Sequence, residues 1–193
     1  MFIVLDGLDA SGKSTQALRL RDHLLCRGLS VHLRFHPSDD NPFGVRARRF
    51  LLARGKSAHF ASAIFYIVDV IRSILLCPWW SVDCILFVRY LMGTAYLPQP
   101  LDRFAYQLFA SILPRPTCKF FLDVEPEEAN RRISENRKDR EMFESLEQLR
   151  KVNEKALSLA RVYRWTIVDA NRPEDEVAKY ILTHVSLPGL NSP

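Results

Sequence analysis

Residues 7 to 15 read Gly-Leu-Asp-Ala-Ser-Gly-Lys-Ser-Thr: two glycines separated by four residues, then a lysine and two hydroxyl side chains. That spacing suits a loop wrapped around a polyphosphate. Its backbone N–H groups must come close to anionic oxygens, and Gly7 and Gly12 permit a turn and an approach that side chains would block. Lys13 brings a mobile positive charge to the β and γ oxygens, and the Ser14 hydroxyl can ligate Mg²⁺. We assign Gly7, Leu8, Asp9, Ala10, Ser11, Gly12, Lys13, Ser14 and Thr15 to binding the phosphates of a nucleotide, with Lys13 also a catalytic candidate. A bare glycine turn between strand and helix is the reading without chemistry.

A phosphate loop of this kind needs a buried strand before it and a helix after it. Phe2 to Leu5 is a short uncharged β-rich run, and a helix is expected from about Lys13 to Arg27, stopped by Gly28. The helix start aims unpaired N–H groups and the positive dipole end at the same phosphates. Val31–Phe35, Asp83–Val88, Cys118–Val124 and Trp165–Asp169 read as further strands. Helices are expected over Phe43–Lys56, Ser57–Leu76, Leu101–Leu113, from Glu125 onward, over Phe143–Tyr163 and over Pro173–Val185. In the Ser57–Leu76 helix, Ile64, Phe65, Val68, Ile71, Ile74 and Leu75 recur at helical spacing and are expected on the sheet. Asp69 and Arg72, three apart, would be surface neighbours. The arginines between Phe43 and Lys56 suit an exposed face as well as a phosphate or partner contact.

Five strands alternating with helices give a three-layer α/β fold of the P-loop NTPase type. Its five-stranded, mainly parallel sheet is covered by helices on both faces. Ligands in such folds sit beyond the carboxyl ends of the strands. The loop after Leu5, Arg89 after the third strand and Asp123 near the end of the fourth should therefore converge at one edge. No repeat, low-complexity block or linker interrupts residues 1–193, so one domain is expected.

Composition narrows the partners. Net charge is +5, from 27 basic and 22 acidic residues, which suits anionic phosphate ligands without requiring nucleic acid. The basic residues are not interleaved with aromatics as in single-strand binders. Cys26, Cys77, Cys84 and Cys118 lie far apart, which argues against zinc and for reduced thiols in the cytoplasm. The start lacks a basic n-region, so no signal peptide is expected. The longest apolar stretch, Ala58–Trp80, is broken by His59, Asp69 and Arg72, against a membrane span.

Over nearly its whole length the chain resembles the thymidylate kinases, a branch of the nucleoside-monophosphate kinases. The resemblance rests on FIVLDGLDASGKST at the start, the aromatic apolar helix around Phe65, Arg89-Tyr90 after strand three, and KFFLDVEPEEANRRI from Lys119 to Ile133. An arginine-rich lid ending Asp139-Arg140-Glu141 (about residues 134–142) and WTIVDANRPEDEVAKYI from Trp165 to Ile181 complete it. It implies ATP and Mg²⁺ as cofactors and a nucleotide acceptor, most simply dTMP, converted to dTDP. It further implies that Asp9 meets the acceptor's sugar hydroxyl and that Arg89 grips its phosphate, where a bidentate fork is useful. Phe65, Arg72 and Tyr96 join them as acceptor-binding candidates. With a small residue at Ala10, the resemblance puts the transition-state arginine in the lid, at Arg137 or Arg140. A solvated helix end with local ion pairs is the alternative for those two. Relatives are commonly homodimers through helices flanking the sheet, and the 57–76 helix could serve.

The chain departs from the family pattern on the acceptor side. Val88 stands where an aspartate usually precedes Arg89 and helps place Mg²⁺, leaving Ser14 and Asp123 as metal candidates. Phe35-His36-Pro37-Ser38 replaces Arg-Glu-Pro-Gly, Asp69-Val70 replaces an acidic or amide residue followed by arginine, and Arg89–Tyr96 is about one residue shorter. These changes keep two other readings open: a same-fold kinase acting on another small acceptor such as a nucleoside, and a nucleotide-binding relative that has lost catalysis.

Overall fold

A computed structural model of the chain describes residues 1–53, 56–136 and 145–185. It alternates strand and helix in the order β1 (Phe2–Gly7), α1 (Lys13–Cys26), β2 (Val31–Phe35), α2 (Pro42–Leu52), α3 (Lys56–Leu76), β3 (Cys84–Val88) and a 3₁₀ turn (Met92–Tyr96). The order continues with α4 (Leu101–Ile112), β4 (Cys118–Asp123), α5 (Pro126–Asn136), α6 (Leu146–Val162), β5 (Thr166–Asp169) and α7 (Glu174–His184). The strands form one sheet in the order β2-β3-β1-β4-β5, and every neighbouring pair is parallel.

The apolar runs dictate this order. A strand covered on both faces must be apolar at every position. β1 is from Phe2 to Leu5 and β3 is throughout, and Ile3, Leu5, Leu86 and Phe87 are wholly buried in the middle of the sheet, with Phe120 and Phe121 of β4 beside them. β2 and β5 carry His32, Arg34 and Thr166 and take the edges. Helix α1 contacts β1, β2 and β3 and packs beside α7; α6 lies against β4 and the 3₁₀ turn, with α4 against that turn. Helix starts follow local chemistry. The Asn41 side chain accepts from the N–H groups of Phe43 and Gly44 ahead of Pro42, and Ser145 Oγ accepts from Gln148 N–H.

Register brings the site together. Leu5 pairs with Val88 and Gly7 with Leu122, so β3 and β4 end level with the start of the loop after β1.

The expected elements are all present among the described residues, with ends shifted by a few residues. The 3₁₀ turn at Met92–Tyr96 was not expected. The larger correction concerns α3, whose main partner is α2 rather than the sheet. Phe60, Ile64, Leu75 and Leu76 are exposed, while Ser62, Asp69 and Ser73 are buried. Polar partners make that possible: Asp69 accepts from Ser38 N–H at 2.7 Å, Ser38 Oγ at 2.5 Å and Asn41 Nδ2 at 2.7 Å. Ser62 Oγ donates to Ala47 O at 3.1 Å, and Arg34 Nε donates to Ser73 Oγ at 3.1 Å. Asp69 is thus a buried anchor for the segment after β2 and not a surface partner of Arg72.

Candidate active site

The loop between β1 and α1 is shaped by its glycines. Gly7 has φ +148°, and a Cβ there would lie 2.4 Å from Leu122 O, so no side chain fits between the loop and β4. Gly12 has φ +85° and opens on free space. It precedes α1, whose first turn has no acidic residue and no side-chain cap, so its N–H groups and dipole face the cavity beyond. The Lys13 ammonium donates to Leu8 O and, at 3.3 Å, to Ser11 Oγ, which places it inside the curl of the loop. Leu8 is buried in the core, and only its backbone serves the loop.

Two cavities meet at this edge of the sheet. The larger, about 1080 Å³, is lined by Ala10 to Gln16, by Val88 and Arg89, and by Arg131, Arg132 and Arg172. The second, about 580 Å³ and mostly apolar in lining, is bordered by Gly7, Asp9, Tyr66, Arg89, Tyr96 and Lys155. Arg89 lines both. Its guanidinium pairs with the Asp9 carboxylate, which is 4% exposed, and the Tyr96 hydroxyl donates to the other Asp9 oxygen at 3.4 Å. Asp9, Arg89 and Tyr96, taken from three separate segments, are therefore one cluster.

Other candidates lie elsewhere. Phe65 stacks on Phe50 at 5.6 Å with the Arg46 guanidinium over its ring, outside both cavities. Tyr66 takes the expected place, because successive helical residues point about 100° apart. Its hydroxyl donates to Tyr90 O at 2.9 Å, and burial pushes its pKa well above the usual phenol range. Arg72 faces Asp40 at 4.0 Å and lines neither cavity. Asp123 is turned toward α6, where Asn153 Nδ2 donates to it at 3.3 Å; strand alternation puts it on the same side as Lys119, which reaches Tyr163 O. It lines neither cavity and does not pair with Arg89. Arg137 and Arg140 lie outside the described residues.

The structure adds residues that the sequence did not single out. Arg132 of α5 bonds Glu128 at 2.7 Å and donates to Ala10 O and Ala170 O, each at 3.3 Å, tying α5 to the phosphate loop and to the end of β5. Arg48 of α2 donates to Pro37 O at 2.9 Å on the wall of the larger cavity. Asp6 and His36 are both buried beside Arg89. Burial raises the Asp6 carboxyl above its ordinary range and pushes the His36 imidazole down to about 4. Asp6 had a signal in its position next to Gly7. Nothing in the sequence shows that His36 reaches the third strand.

Among the described residues no group of histidine, cysteine or carboxylate side chains could by itself hold a metal ion. The loop offers the Ser14 hydroxyl, and Val88 offers nothing. That donor set fits Mg²⁺ carried mainly by nucleotide phosphates and water, which is how Mg²⁺ is commonly held.

Residues 5–181 match the family model described as thymidylate kinase. A probable thymidylate kinase of Pyrobaculum calidifontis is 30% identical over 189 residues, covering 94% of each chain. One from Metallosphaera sedula is 31% identical over 186 residues, covering 96% of this chain and 89% of its own. Among solved structures, a thymidylate kinase from Candida albicans superposes with a TM-score of 0.72 at 22% identity, covering 94% of this chain and 89% of that one. A phosphate loop whose Asp9 meets Arg89 across two adjoining cavities, and a match spanning almost the full length, lead to one statement: the chain belongs to the thymidylate kinase family.

Proposed function

We infer that the chain transfers the γ-phosphoryl group of ATP to dTMP, giving ADP and dTDP. The observation that carries this reading is Arg89, which borders both cavities and can face a phosphate entering from either. The loop N–H groups, Lys13 and the start of α1 bind the ATP phosphates, and Ser14 would hold Mg²⁺, which neutralises charge on the phosphates when bound. Arg89 holds the acceptor phosphate in line with them, and Tyr66 and Tyr96 close the acceptor cavity around sugar and base. Catalysis here is positioning plus charge neutralisation. A lid arginine, Arg137 or Arg140, completes the set.

ADP release followed with a panel of nucleoside monophosphates and thymidine tests this. Turnover with dTMP that needs Mg²⁺ and disappears in Lys13→Ala supports it. Background turnover with every monophosphate ends it, and activity with thymidine alone would move the acceptor to a nucleoside. Val88 favours a second reading, a nucleotide-binding relative without transfer, which tight ATP binding with no turnover on any acceptor would support.

The same reading makes the protein one domain, cytoplasmic and a homodimer. No described helix is long and apolar enough to cross a membrane. Phe60, Ile64 and Leu75 of α3 and Phe104, Leu108 and Ile112 of α4 are exposed apolar side chains that a second copy would cover. Light scattering that gives the monomer mass at micromolar concentration would reject the dimer.

A further inference from the structure

Arg89 is held in an unusual backbone conformation. Its φ is +67°, in the left-handed region that non-glycine residues seldom adopt. The consequence is directional: β3 runs extended through Val88, and the turn at Arg89 sends its side chain to Asp9 instead of onward along the strand. Such a conformation persists where the surroundings over-determine it.

Four hydrogen bonds do so. Arg89 N–H donates to Leu5 O at 2.9 Å, a continuation of the β1–β3 ladder. His36 Nδ1 lies 3.0 Å from Arg89 O. Tyr90 N–H donates to Asp6 Oδ2 at 2.9 Å, and Met92 N–H donates to the same oxygen at 3.2 Å. The peptide unit that follows the left-handed residue is therefore gripped by two side chains, each 3% exposed, while the unit before it is held through the backbone of Leu5 and His36. A carbonyl can only accept, so Nδ1 of His36 carries the proton. The ring is neutral near pH 7, since burial pushes it down to about 4. His36 is itself fixed, because its own N–H donates to Val88 O at 3.0 Å.

We propose that His36 and Asp6 are positioning residues that hold Arg89 in its left-handed conformation, so that affinity for the acceptor phosphate depends on two buried side chains acting through the Arg89 backbone. The proposal rests on the reading of Arg89 as the acceptor-phosphate ligand. It gives His36 a role of its own at a position where the family pattern has another residue.

Calorimetric binding of dTMP and of thymidine to the full-length protein, with steady-state kinetics, tests it. His36→Asn keeps an amide donor near the place of Nδ1, and His36→Phe keeps the ring without a donor. The expected result is a loss of dTMP affinity of about tenfold or more in His36→Phe, with the rise in KM for dTMP exceeding the fall in kcat. Thymidine binding and ATP-analogue binding should hold near wild type, and His36→Asn should recover most of the dTMP affinity. Asp6→Leu, which keeps the side chain's shape and removes the acceptor for Tyr90 and Met92 N–H, should show the same phosphate-selective loss. Equal loss of dTMP and thymidine binding, unchanged dTMP binding in His36→Phe, or no recovery in His36→Asn would overturn the proposal. Should His36→Phe not fold by circular dichroism, His36→Gln, whose amide reaches past the Nδ1 position, takes its place with the same expected loss. Wild-type protein that binds thymidine as well as dTMP would defeat the functional reading itself. Wild-type discrimination that survives in all the variants defeats only the positioning role.

Discussion

Asp9 and Arg89, 80 residues apart in the chain, form an ion pair on the wall of the smaller cavity, and Arg89 borders the larger one as well. Asp9 is almost fully buried and Arg89 only partly so, so the pair is asymmetric: the carboxylate depends on the arginine more than the reverse. Removing one partner of a buried pair leaves an uncompensated charge, which costs more than the pair itself is worth.

Arg89→Ala should therefore lower kcat/KM for dTMP by about 100-fold or more, most of it in the dTMP term, while KM for ATP changes little. Arg89→Lys should recover only a small part, because an ammonium cannot reproduce the planar fork. Initial rates with both substrates varied separate the two terms.

Tyr66 and Phe65 are adjacent in sequence but should behave differently. Tyr66→Ala removes a wall of the acceptor cavity and the hydrogen bond to Tyr90 O, so KM for dTMP should rise by about tenfold or more. Phe65→Ala strips a stacked pair between α2 and α3 and should lower stability by about 1–3 kcal/mol with KM near wild type. Denaturant unfolding alongside kinetics distinguishes them.

Val88→Asp should lower the Mg²⁺ concentration for half-maximal turnover, because it places a carboxylate on the cavity wall beside the phosphate loop. Val88 is 3% exposed, so the same change should lower the melting temperature. A Mg²⁺ titration of the rate that overlays the wild-type curve would contradict this.

The sequence made legible what depends on local pattern. Continuous apolar runs marked Phe2–Leu5 and the strand ending at Val88 as central strands, and the loop glycines located the phosphate site. Arg89 was legible because it directly follows a buried strand. What escaped depended on phase and on distant partners. Helix α3 turns its polar residues Ser62, Asp69 and Ser73 inward and apolar ones outward, so polarity alone misplaces its faces, and Tyr66 rather than Phe65 faces the cavity. Asp69 looked like a surface charge because Ser38 and Asn41, which bury it, lie 28–31 residues earlier. Asp123 was placed by its position at a strand end, but the side to which it turns follows from the alternation of β4.

His36 gives a dependence of stability on pH. Its folded-state pKa is lowered, so the native form binds fewer protons than the unfolded chain between about 6.5 and 4. The stabilisation is fully present above 6.5 and is lost as pH falls through that window. The melting temperature of the wild type should drop from pH 6.5 to 4, and the drop should be smaller in His36→Asn, which has no ionisable ring. Asp6, whose carboxyl is raised, takes up a proton in the native state and works in the opposite direction, so the difference between variant and wild type is the quantity to measure.

The contact between Gly7 and Leu122 O supplies a control that charge removal cannot. Substituting Lys13 deletes a cation and its bonds to Leu8 O and Ser11 Oγ but pushes no atom against β4. Gly7→Ala deletes no polar group, yet its methyl would drive the loop off β4 and carry the whole phosphate cradle with it. The two variants thus divide the phosphate loop into shape and charge, and a knockout made at Gly7 leaves Lys13, Asp9 and Arg89 chemically unaltered.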